Sequence, residues 1–138
     1  MNDSVIDRYA SRVAEPARKS TEEPDAFDNL GSFGILRGVR DRALMLELRC
    51  KDGSIQAFSY AYLAKASFDP SEGITLVFGR SSVRIIGTNL GAEVRPNVRL
   101  FQSLLRHRVP WIREADRAAS LKAKPGAVVV DEIRIDEG

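Results

Sequence analysis

"ALMLELRCKDGSIQAFSY", residues 43–60, decides the fold class. Leu44, Leu46, Leu48 and Cys50 share one parity while Glu47 and Arg49 take the other, the period-2 pattern of a strand with one buried face. Asp52-Gly53 interrupts the pattern, and glycine accepts the positive φ that a tight reversal needs. The segment "SIQAFSY" is therefore expected to return antiparallel through a two-residue turn.

The alternation continues downstream. Ala64, Ala66 and Phe68 alternate with Lys65, Ser67 and Asp69 up to "DPSEG", whose proline and glycine supply another reversal. Ile74, Leu76 and Phe78 alternate with Thr75 and Val77 before "GRSS", and Val83 and Ile85 alternate with Arg84 before Gly87. Upstream, "FDNLGSFGILRGV" sets Phe27, Leu30, Phe33, Ile35 and Leu36 among three glycines, which reads as an irregular or strand-like entry into the domain. About five strands result. In "RPNVRLFQSLLRHRVPWIREADRAA" the period changes: Val98, Phe101, Leu105, Val109 and Ile112 recur at steps of 3 or 4, with Asn97 placed to cap a first turn. This predicts a helix lying over the sheet, kinked or broken at Pro110.

The expected fold class is thus α+β: about five antiparallel strands forming a bent sheet or small open barrel, covered by a C-terminal helix. That order of elements is similar to a pleckstrin-homology-like arrangement. "KDG" at 51–53 and "VRIIGTNL" at 83–90 are locally similar to short motifs of Sm-like barrels. The uridine-binding Asp/Asn pattern of that family is not visible between them, and here the helix follows the sheet, so no family is recognised.

The chain divides by charge. Residues 34–113 hold 13 Lys/Arg against 6 Asp/Glu, residues 1–33 hold 4 against 7, and residues 114–138 hold 4 against 6, which together give the net +2 of the 138-residue chain. Residues 1–26 read as an N-terminal arm. Ile6, Tyr9 and Val13 suit a short amphipathic helix, and "EPARKSTEEPDA" suits a solvated linker. Residues 27–119 form the domain, and residues 120–138 an acidic tail in which Val129, Ile133 and Ile135 share a parity that allows an extra strand, paired within the chain or with another one. No apolar run is long enough to span a membrane and no secretory signal opens the chain, so a cytoplasmic setting is expected. The single cysteine agrees with it.

Chemistry-bearing residues are scarce. His107 is the only histidine, flanked by Arg106 and Arg108, and Cys50 the only cysteine, on the apolar parity of its strand. One of each cannot supply a zinc shell without carboxylates from elsewhere, and a Ser/His/Asp or Cys/His arrangement would have to use His107. Asp69 and Glu72 in "DPSEG" are explained by turn chemistry, and no phosphate-binding glycine motif occurs. The expectation is therefore no enzyme, no metal and no cofactor. Two binding readings remain. The first is a protein-interaction or self-association module, with Trp111 able to anchor a partner or to pack in the core. The second is nucleic-acid binding by Arg95, Arg99, Arg106 and Arg113, which a continuous helix would place along one stripe facing phosphates, or simply on a solvated face.

Overall fold

A computed structural model describes residues 26–138, so the expected arm helix and nearly all of the arm lie outside the described residues. The strands are β1 Phe27–Asn29, β2 Gly34–Leu36, β3 Met45–Arg49, β4 Ile55–Ser59, β5 Leu63–Asp69, β6 Gly73–Phe78, β7 Ser81–Thr88, β8 Glu93–Arg95, β9 Val98–Arg99, β10 Trp111–Arg113 and β11 Val129–Glu137. The two α-helices are short, α1 Leu100–Leu105 and α2 Arg117–Lys122. Two sheets carry the architecture, a three-stranded one in the order β10-β3-β4 and a four-stranded one in the order β11-β7-β6-β5. The hairpins β1-β2 and β8-β9 form two small sheets beside them.

The antiparallel hairpins form where alternation and turn residues coincide. β3 and β4 pair from Met45↔Ser59 to Arg49↔Ile55. The turn is longer than the expected two residues: Cys50 N donates to Ser54 O, Gly53 takes φ 94°, and the Asp52 carboxylate accepts from the Ser54 amide and hydroxyl. Asp69 closes the β5–β6 reversal in the same way, accepting from both groups of Ser71. Those bonds hold both carboxyls below their ordinary pKa. Gly79 and Arg80 alone separate Phe78 from its partner Ser81.

The expected C-terminal helix over a sheet does not form, and the fold is mostly β with two short helices. Asn97, read as a helix cap, instead takes φ 65° after Pro96 in the tight turn joining β8 to β9. The helix that follows is stopped after six residues. Arg108 N donates to Ser103 O and His107 N to Leu104 O, a pairing that requires a left-handed residue at His107, whose φ is 58°. Histidine holds this conformation against its Cβ because its ring stacks on Tyr60, 4.5 Å between centroids. Beyond Pro110 the chain is extended, and β10 joins β3 in parallel, Trp111 beside Glu47 and Ile112 beside Leu48. The expectation of wholly antiparallel strands under a covering helix is corrected by that pairing.

One core serves both large sheets. Leu46 and Leu48 of β3, Ile112 of β10, Ile74 and Leu76 of β6, Val83 and Ile85 of β7 and Val130 of β11 are all fully buried in one cluster, with Leu100 and Leu104 of α1. β11, in the stretch whose parity allowed an extra strand, pairs antiparallel with β7 from Val129↔Thr88 to Glu137↔Ser81. Glu114 links the sheets. It is 8% exposed, and its two carboxylate oxygens accept from the amides of Lys51, at 2.8 Å, and Ile133, at 2.6 Å.

Trp111 packs on the opposite face of the three-stranded sheet. Its ring meets Phe27 edge-on at 5.9 Å, and the Arg49 guanidinium covers it at 4.6 Å. Gly34 makes room for it, since a Cβ there would stand 2.6 Å from Trp111 Nε1.

Candidate functional site

The arginines named from the sequence do not share a stripe, because no single helix runs through them. Arg95 on β8 binds Asp28 at 2.8 Å, and Arg99, just before α1, faces Glu93 at 3.7 Å. Arg37 reaches the same Asp28 at 2.6 Å, and the two guanidinium groups hold that carboxyl below its ordinary pKa. Arg113 on β10 donates to the Gly31 carbonyl at 2.7 Å. Arg106 follows α1 and is exposed. Trp111 is 2% exposed, packed within the described fold.

His107 and Cys50 cannot act on one bond. Ala43 N donates to His107 O, which sets the histidine at the start of β3, whereas Cys50 follows its end. Seven extended residues separate the two positions, roughly 20 Å. Cys50 is a half-buried free thiol whose pKa burial pushes up, the reverse of an activated nucleophile. Among the described residues no three of His, Cys, Asp and Glu gather in a metal-ligating group.

A cleft of about 380 Å³ lies between residues 30–32, the 113–116 segment, α2 and residues 127–129. Its charged groups are occupied. Asp116 caps α2 by accepting from Ala119 N, Glu114 holds two amides and Arg113 holds Gly31. The rest of its wall is largely alanine, glycine and valine. Nothing in it converges on a ligand.

The edge of β4 is different. A strand edge presents unpaired N–H and C=O groups, and folded proteins blunt such edges with charges, prolines, bulges or covering segments. β5, one edge of the four-stranded sheet, carries Lys65, Asp69 and a bulge between Leu63 and Lys65. β11, the other, carries Asp131, Glu132, Arg134, Asp136 and Glu137 and a bulge between Val130 and Glu132. β10 is covered by an antiparallel bridge from Phe33 to Ile112 and by Arg113 N donating to Ser32 O. Among the described residues β4, "IQAFS", has none of these protections. The bonds from Cys50 N to Ser54 O and from Tyr60 N to Leu44 O fix the phase of the ladder, so the N–H and C=O groups of Ile55, Ala57 and Ser59 point away from β3. Exposed apolar side chains accompany this edge: Ile55 is 58% exposed, Met45 44% and Tyr62 69%.

A second surface adjoins the start of β3. Leu36 N donates to Arg108 O and Ala43 N to His107 O, so the loop 37–42 is pinned at both ends against the turn 106–108. "RGVRDR" and "RHR" are thereby brought together. Arg37, the first residue of that loop, and Arg49, Arg84, Arg95, Arg99 and Arg134 each pair with a carboxylate. Arg40, Arg42, Arg106 and Arg108 have no carboxylate partner among the described residues: Arg42 donates to the Val39 and Asp41 carbonyls and Arg108 to the Leu36 carbonyl. Of these four only Arg106 stood out in the sequence. The density of arginine in 37–42 was the signal for the others, but its partner segment lies about 65 residues away.

Against models of protein families, curated proteins and solved structures, the chain has no match.

Proposed function

We propose that this protein is a non-enzymatic interaction module that self-associates, with β4 of one copy adding antiparallel to β4 of a second copy. The observation that carries the reading is the unguarded β4 edge. A two-fold axis at Ala57 sets Ala57 opposite Ala57 of the second copy and Ile55 opposite Ser59, and all three residues aim their backbone groups outward. The edge is uncharged, so two copies meet without like-charge opposition. Ile55, Met45 and Tyr62 add apolar area to the backbone bonds. A cytoplasmic setting belongs to the same reading, supported by the free thiol of Cys50.

The test is the mass of the particle in solution by light scattering, as a function of concentration. An interface this small belongs to the weak end of specific association, so a concentration-dependent dimer is expected. Ala57→Pro removes only a donor that faces solvent in the isolated chain, and Ala57→Lys places a charge on the axis. Both variants are expected to stay monomeric with the wild-type circular dichroism spectrum. A wild-type protein that remains monomeric up to its solubility limit, or folded variants that still dimerise, would end the proposal.

A further inference from the structure

We propose that the corner formed by loop 37–44 and the turn 105–108 docks on the surface of an anionic lipid bilayer. This goes beyond the self-association reading and uses none of the outward groups of β4. Two observations carry it together. The first is charge: Arg40, Arg42, Arg106 and Arg108 collect at this corner without a carboxylate partner among the described residues, whereas Arg80, Arg113 and Arg117, which also lack one there, lie on other elements and six other arginines are matched. Asp41 is the acidic residue within it.

The second is the apolar side chains set among those charges. Val39 is 79% exposed and Leu44 84%, with Leu105 at 48%, and the bond from Ala43 N to His107 O joins the two segments that carry them. Large aliphatic side chains this open to water, flanked by guanidinium groups, match the boundary between headgroups and acyl chains, where the apolar part is buried and the cation meets phosphate or carboxylate. The shape agrees. The cleft beside α2 and the hollow between Phe68, Pro70 and Leu90 are lined by other residues, and the exposed apolar side chains of this corner stand on a loop and a turn, a form that a bilayer surface receives. A nucleic-acid surface would use the arginines but not Val39 and Leu44, and no exposed aromatic ring lies in loop 37–44 or the turn 105–108 for base stacking.

The experiment is flotation of the full-length protein with vesicles of phosphatidylcholine alone and of an equal mixture of phosphatidylcholine and phosphatidylserine, at rising salt, beside a gel-shift arm with polyuridylate. Binding is expected to the mixed vesicles only and to fall as salt rises. Val39→Ser with Leu44→Ser is expected to weaken it at least about tenfold, and Arg40→Ala with Arg42→Ala and Arg106→Ala by about a hundredfold, since each basic side chain near an anionic surface is worth about a factor of five. Circular dichroism confirms that each variant is folded; all five positions are exposed, so folding should survive. Failure of the wild type to float with the mixed vesicles overturns the proposal, as does full binding by either folded variant. Shift of polyuridylate without flotation reassigns the corner to nucleic acid and overturns it too.

Discussion

Glu114 shows how a single residue is fixed by bonds that its own neighbourhood in sequence does not reveal. In the chain it is one acid in "IREAD", at the end of the expected helix, where it would be solvated. The structure buries it, because β10 runs beside β3 and delivers the residue after Arg113 to the junction of the two large sheets. There its carboxylate accepts the Ile133 amide of β11 and the Lys51 amide of the turn after β3, so it joins the two large sheets. A buried N–H left without a partner costs about 1–3 kcal/mol. Glu114→Ala is therefore expected to lower stability by about 2–4 kcal/mol, and Glu114→Gln, which keeps one acceptor oxygen, by about half as much. Urea unfolding of the three proteins measures this. Equal midpoints for wild type and Glu114→Ala would show that water replaces the carboxylate without loss.

Elements were legible where one local pattern sufficed. β3, β5, β6 and β7 follow from alternation and β4 from the turn that returns it, and the reversals at Asp52-Gly53, "DPSEG" and "GRSS" stand where turn residues interrupt the pattern. The stretch 97–113 was misread because spacing of 3 and 4 fits two separate objects, a six-residue helix and a strand, and what separates them is tertiary. His107 ends the helix in a left-handed conformation supported by Tyr60, and β10 is an extended strand only because β3 accepts it in parallel. The site was illegible for the same reason. That β4 lies at an edge depends on the order of strands, and the basic corner depends on two segments far apart in the chain. The tail was legible in part: the helix boundary set the domain's expected end at residue 119, while the shared parity of Val129, Ile133 and Ile135 allowed an extra strand. β11 lies beyond that end, and its Val130 and Ile133 close the core against β7. Removing residues 129–138 exposes one side of β7 and opens the core, so the truncated chain is expected to lose its cooperative thermal transition. A truncated protein that melts within a few degrees of wild type would show that β11 is dispensable.

At the scale of the molecule the question is whether two sheets make one folding unit or two. Each large sheet buries one face, and both faces belong to the same cluster, so neither can be exposed without uncovering the other. Polar bonds cross the same boundary. Besides Glu114, Ala115 N donates to Val130 O, and the Ser32 hydroxyl donates to Val128 O. The small β1-β2 sheet is tied in by Trp111, whose ring is held between Phe27 and Arg49. Trp111 is also the only tryptophan, so its fluorescence reports on the three-stranded sheet and its neighbours alone. Far-ultraviolet circular dichroism reports on all strands together, and the four-stranded sheet supplies most of the residues in strands. If burial is shared as the cluster requires, the two signals are expected to trace one curve in urea, with the same midpoint and the same slope. A fluorescence change that precedes the loss of circular dichroism would mean that the three-stranded sheet opens while the four-stranded sheet persists. The β4 edge would then belong to a sheet that detaches, and self-association through it would depend on an opening equilibrium as well as on contact.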